Sequence, residues 1–90
     1  MSPEALAKGG VSMYFVYLLG LSDRSIYTGS THGVRHRVLE HQKGKVLSTR
    51  KLRPLALIWY CAFRNRLEAS RFEIYLKTGS GQAFRNKHII

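Results

Sequence analysis

The sequence predicts one α/β domain in which a small mixed or antiparallel sheet is packed by helices, in the order β-β-α-β-α-α. Three observations carry that prediction. Two short apolar runs are rich in aromatic and β-branched residues, a turn-rich stretch follows the first of them, and two later segments place apolar residues at i, i+3, i+4 and i+7. Ninety residues suit a single domain, and with 44% hydrophobic residues and two prolines there is enough apolar material for one core. No internal repeat is visible.

Residues 1–12 (MSPEALAKGGVS) read as a flexible tail, and the domain is expected over residues 13–90. Met13–Leu19 (MYFVYLL) is apolar throughout and reads as a strand buried on both faces. The segment GLSDRS supplies turn chemistry through Gly20, Ser22 and Asp23, so that Ser25–Thr28 returns antiparallel as a second strand. Thr31 is placed to cap a helix from about His32 to Lys43, with Gly44 as its stop. Residues 43–53 (KGKVLSTRKLR), basic and without an acid, read as a solvated loop that faces a partner. Pro54 opens LALIWYCAF, expected as a third strand, again covered on both faces. Asn65 with Glu68 three residues on resembles a capping box for a helix to about Lys77, and Ser80 starts a last short helix through Lys87.

Charge points to a partner. Fifteen Lys and Arg against five Asp and Glu give a formal +10 and a pI near 10.4, which calls for a polyanion. Nucleic acid is favoured over a membrane surface because the basic residues are interleaved with loops and aromatics and do not line one amphipathic helix. The single cysteine, Cys61, lies in an apolar run, excludes an internal disulfide and a cysteine metal cluster, and suits a reducing compartment as a small core residue. No apolar run is long enough to span a bilayer and the first residues carry no cleavage-site pattern, so a cytoplasmic protein with no membrane partner is expected. His32 and His36 have helical spacing, but no third ligand nearby closes a zinc set.

Two helices carry charges where apolar residues belong. Val34, Arg37, Val38 and His41 share one stripe of the first helix, and Ala69, Phe72, Glu73 and Leu76 share one stripe of the second. A buried charge is costly unless paired or metal-bound, so the two stripes are expected to point Arg37, His41 and Glu73 at the same side of the sheet. The alternatives are plainer: Arg35 and His36 as exposed basic surface, and Glu73 as one half of a helical pair with Lys77. Most of Tyr14, Tyr17, Tyr27, Tyr60 and Tyr75 read as core. Tyr17 and Tyr27 stand out because they lie on the two strands of one hairpin, and Tyr27 is followed by Thr28, Gly29 and Ser30, where Gly29 lets backbone approach a ligand closely.

Val16-Tyr17-Leu18 and Tyr27-Thr28-Gly29 resemble the paired signature of the GIY-YIG nuclease superfamily, and the pattern continues through Ser30-Thr31, Arg37, His41 and Glu73 in EASRFEIYLK. The resemblance spans residues 13 to about 87 and is closest to the small stand-alone bacterial members. It implies a three-stranded antiparallel sheet flanked by helices, and a metal-dependent endonuclease that hydrolyses DNA phosphodiester bonds in DNA repair or recombination. In that frame Glu73 holds one Mg²⁺ or Mn²⁺, Arg37 neutralises charge on the phosphate, and Tyr27 or Tyr17, helped by His41, takes a proton from the attacking water. Gly29, Ser30, Arg35, Lys43, Lys45, Arg50, Lys51, Arg53 and Lys77 are the expected nucleic-acid contacts, with no small-molecule cofactor and a monomer or weak dimer as the working unit. The triplets depart from the family's name, reading VYL and YTG. Ser30 stands where the excision-repair endonuclease subunits carry a lysine, a contact for which Lys77 is the candidate replacement. The alternative is a non-catalytic, basic nucleic-acid-binding module or adaptor of the same fold.

Overall fold

The structure is a computed structural model and describes residues 13–90; the expected tail at 1–12 lies outside the described residues. Strands β1 (Tyr14–Gly20), β2 (Ile26–Thr31) and β3 (Ala56–Phe63) alternate with helices α1 (Val34–Gln42), α2 (Arg66–Leu76) and α3 (Gly79–His88), and a 3₁₀ turn spans Arg50–Leu52. The sheet order is β2-β1-β3 and both pairings are antiparallel, giving the three-stranded sheet and the β-β-α-β-α-α order expected. At the β1–β2 turn, Asp23 Oδ1 accepts from the Ser25 backbone N–H at 2.9 Å, which replaces a ladder bond where the chain reverses. No helix among the described residues is long and apolar enough to cross a membrane.

The apolar run of β1 is explained by its central position, and successive side chains serve two different cores. Val16 and Leu18 pack against Ala69 and Leu76 of α2, with Trp59, Cys61, Phe63 and Phe72 around them. Tyr17 and Leu19 pack with Leu55, Leu57, Tyr27 and Val38 of α1 on the other face. The helices α1 and α2 therefore lie on opposite faces of the sheet. This corrects the expectation that Arg37, His41 and Glu73 share one side: each stripe does turn inward, but toward different faces. Cys61 is half-buried, and burial pushes its thiol up to about 11, well away from reactive thiolate.

Three further boundaries move for local reasons. β2 runs on to Thr31, so Gly29 and Ser30 belong to a strand and not to a turn. Thr31 accordingly does not cap α1; Gly33 is the N-cap, and Thr31 Oγ1 accepts from its backbone N–H at 3.1 Å. β3 is covered along one face only: Ala56, Ile58, Tyr60 and Ala62 are exposed, and Tyr60 is not the core residue its strand position suggests. The later caps follow the sequence more closely. Asn65 Oδ1 accepts from the Glu68 N–H at 2.9 Å, and Thr78, two residues ahead of the expected Ser80, accepts from the Gly81 N–H at 3.0 Å.

The core on the α1 side closes with a buried polar chain. Tyr17 Oη and His41 Nε2 are 2.8 Å apart, and His41 Nδ1 and Thr49 Oγ1 are 2.7 Å apart. All three residues are at most 1% exposed. Thr49 Oγ1 also lies 3.5 Å from the Val46 carbonyl, and a hydroxyl that donates there accepts from Nδ1–H, so that Nε2 accepts from the phenol. One threonine thus anchors a loop that its composition presents as fully solvated.

Two consequences can be measured. Thr49→Val keeps the shape but strands the His41 Nδ1–H, and is expected to cost about 1–3 kcal/mol in urea unfolding, where most loop substitutions stay within about 0.5 kcal/mol. The second concerns pH. Burial, and then the nearby Arg37 charge, hold the His41 imidazole below its ordinary 6.5, with Glu40 opposing. Above 6.5 the imidazole is neutral in both states; as pH falls below it, the unfolded chain takes up a proton that the folded chain refuses, so stability drops. The lowered carboxyls of Asp23 and Glu40 act in the same direction only at more acid pH. Unfolding followed at about pH 7.5 and about pH 5.5 is therefore expected to show lower stability at the acid end in the native chain, and a smaller difference in His41→Gln.

Candidate active site

Antiparallel register sets Tyr17 directly across from Gly29. A Cβ at position 29 would lie 2.5 Å from the Tyr17 Oη, so Gly29 is needed for the phenol to lie over β2 and reach His41. The glycine of the second triplet makes room for the tyrosine of the first, where sequence reasoning assigned it to close approach of a ligand. Tyr27, two residues earlier on the same face of β2, places its ring 6.2 Å from that of Tyr17 and 4.9 Å from that of His41. Unlike those two it is only half-buried.

Arg37 lies one helical turn before His41. Its guanidinium stands against the Tyr17 phenol and donates from Nη1 to Glu40 Oε1 at 3.2 Å. Burial alone would lower the arginine, but the bonds to Tyr17 and Glu40 outweigh it and raise it further, so a fixed cation faces outward from this cluster. Burial raises the Tyr17 phenol far above its ordinary value and the neighbouring Tyr27 adds to the effect, while Arg37 opposes both. Burial and Tyr27 outweigh Arg37, so Tyr17 is a neutral phenol within the fold and is ill suited to accept a proton.

Ser30 follows Gly29 and so projects to the opposite face, where α2 lies. Its hydroxyl donates to Glu73 Oε1 at 2.6 Å, and Lys77 Nζ donates to Glu73 Oε2 at 2.7 Å. The carboxylate is fixed at both oxygens and its side chain is 21% exposed. A groove of about 430 Å³ runs beside the end of β2, lined by Tyr14, Ser30, Thr31, His32, Arg37 and Glu40 among others. The fold thus brings Arg37 of α1 and Ser30 of β2 to one groove, while the Ser30 hydroxyl holds Glu73 on the α2 side of the sheet.

The remaining basic residues are distributed differently. Arg35, Lys43, Lys45, Arg50 and Lys51 are exposed on α1 and the loop after it. Arg53 is a strap: Nε donates to the Arg50 carbonyl at 2.9 Å and Nη1 to the Gln42 carbonyl at 3.3 Å, closing the loop against the end of α1. Gly44 takes the left-handed φ of 78° that lets the helix end there. Sequence reasoning missed two residues of this site. Glu40 was legible, since it lies at i+3 from Arg37. Thr49 was not, because nothing in a polar, basic run marks one hydroxyl as buried.

Residues 13–87 match the family described as the GIY-YIG catalytic domain. The UPF0213 protein of Staphylococcus haemolyticus is 36% identical over 73 residues, covering 80% of this chain and 89% of that protein. The UPF0213 protein of Streptococcus agalactiae is 37% identical over 70 residues, covering 77% and 80%. The solution NMR structure of the UPF0213 protein from Bacillus halodurans superposes with a TM-score of 0.53 at 34% identity, covering 83% of this chain and 81% of that one. With its three-stranded antiparallel sheet, its tyrosine-bearing hairpin and relatives of this kind, the chain belongs to the GIY-YIG family, among its small UPF0213 members.

Proposed function

We propose that the chain is a metal-dependent endonuclease that hydrolyses DNA phosphodiester bonds. The observation that carries this reading is the placement of Arg37 and of Ser30, the residue that holds Glu73, on one groove at the edge of a molecule with a net charge of +10. Both charges suit a phosphodiester: the Arg37 guanidinium matches phosphate oxygens in a planar fork, whereas the carboxylate that Ser30 holds repels them unless a metal intervenes.

The residues fit a hard divalent cation. Among the described residues no three of His, Cys, Asp and Glu converge; Glu40 in the groove is paired with Arg37, which leaves Glu73, with the Ser30 hydroxyl beside it, as the candidate carboxylate. That donor set suits Mg²⁺ or Mn²⁺, which keep most of their waters and are bound by one or two carboxylates together with substrate phosphates. When bound, such an ion supplies charge neutralisation at the phosphate oxygens.

The chain's own residues supply the rest. Arg37 orients the phosphate and balances charge that develops on it. Tyr27, half-buried and at the strand edge, is the candidate proton acceptor: as the phenolate, its own proton already given up to solvent, it takes the proton of the attacking water at its phenolic oxygen. Behind it Tyr17 is held as a donor to His41 Nε2, which keeps the phenol oriented and water out of the interior. The exposed cations Lys43, Lys45, Arg50 and Lys51 lie where a longer stretch of backbone would pass and contribute salt-sensitive binding. One observation favours the plainer reading of a binding module: both Glu73 oxygens already have partners within the protein.

Cleavage of labelled single-stranded, duplex and branched DNAs in Mg²⁺ or Mn²⁺ decides between the two. The nuclease reading expects metal-dependent cutting that falls by about 10²-fold or more in Arg37→Ala and Glu73→Gln, with Glu73→Gln still binding DNA in the absence of metal. Cutting that survives Glu73→Gln removes Glu73 from the reaction, and salt-sensitive binding with no cutting of any substrate supports the binding module instead.

A further inference from the structure

A second cleft lies on the other flank of β2. It measures about 230 Å³ and is lined by Ile26, Tyr27, Thr28, Leu76, Lys77, Gln82 and Arg85. Arg85 is half-buried in its wall, with Nε donating to the Asn86 carboxamide oxygen at 3.1 Å. No carboxylate among the described residues pairs with it. All four are engaged elsewhere: Asp23 with Ser25, Glu40 with Arg37, Glu68 with Arg64, and Glu73 with Ser30 and Lys77. Lys77, one turn beyond Glu73, brings its positive charge to the same cleft, and Gln82 adds a carboxamide that donates to the Lys77 carbonyl at 3.4 Å. A half-buried arginine in a concave wall, paired with no carboxylate among the described residues and with the Glu73-bound Lys77 beside it, is a site for an external anion.

We propose that this cleft is a second phosphate subsite, in which Arg85, Lys77 and Gln82 hold a phosphodiester of the same nucleic-acid strand that the first groove receives. The subsite rests on the nuclease reading above. Tyr27 and Thr28 line this cleft and Ser30 and Thr31 line the other, so a strand that crosses the outer edge of β2 meets Arg37 on one flank and Arg85 on the other. Holding the phosphate next to the reacting one fixes the backbone across Tyr27, which is what an edge-mounted proton acceptor requires.

The test is binding of a fluorescein-labelled thymidine dodecamer to the full chain in EDTA, where no cutting occurs, followed by anisotropy over a range of KCl. Arg85→Gln is expected to weaken binding by about tenfold and to reduce the log–log salt slope by about 0.7, the loss of one phosphate contact on a single strand. Gln82→Glu, at an exposed position of the same cleft, is expected to weaken binding as well. Lys87→Gln removes the same charge from the same helix at an exposed position outside the cleft, and is expected to have less than about a twofold effect. Equal losses in Arg85→Gln and Lys87→Gln would mean diffuse attraction and overturn the subsite. So would wild-type affinity in both cleft variants, which leaves the nuclease reading standing. A native chain that binds no DNA overturns that reading and the subsite with it.

Discussion

The hydrogen bond between the Tyr17 phenol and His41 Nε2 is the constraint from which the rest of the site follows. It joins the central strand to α1 through the interior, and the second imidazole nitrogen continues it to Thr49 in the basic loop. Each group would be costly to bury alone; in a chain every donor has an acceptor, and among the described residues no buried side-chain nitrogen or oxygen is left without a partner. The phenol can take this position only because the residue across from it has no side chain, so Gly29 is tied to Tyr17 as closely as His41 is.

Strand alternation then does the positioning. Gly29 and Ser30 are neighbours in sequence and face opposite ways, one accommodating Tyr17 on the α1 side and the other holding Glu73 on the α2 side. Arg37 and Glu73 come from helices on different faces, and at the edge strand β2 it is Arg37 and Ser30, the residue that holds Glu73, that line one groove. β2 is an edge of the sheet, and its extension to Thr31 carries the alternation through Gly29, Ser30 and Thr31.

Much of this is legible in the sequence, and the misses have physical reasons. The stripes of α1 and α2 bury Val34, His41, Ala69 and Leu76 as their spacing requires, and Asn65 caps α2 through the Glu68 N–H. What helical spacing cannot say is which face of a sheet a helix chooses, and so Arg37 and Glu73 were expected on one side. The run LALIWYCAF looks buried because its residues are apolar, yet β3 is covered along one face only and leaves Ile58 and Tyr60 in water. Thr49 is invisible by composition, since its burial comes from a partner eight residues away on α1 and from no local pattern.

The central claim is that a neutral imidazole with a fixed tautomer joins the strand, the helix and the loop. Long-range ¹H–¹⁵N correlation of the His41 ring, assigned by its loss in His41→Gln, reads this directly. Nitrogen shifts of a single neutral tautomer, protonated at Nδ1 at about pH 8, with a protonation midpoint below the ordinary histidine value, are the predicted result. Averaged shifts of two tautomers, or a protonation midpoint at the ordinary histidine value of about 6.5, would contradict it and remove the basis on which Arg37 and Tyr27 are placed.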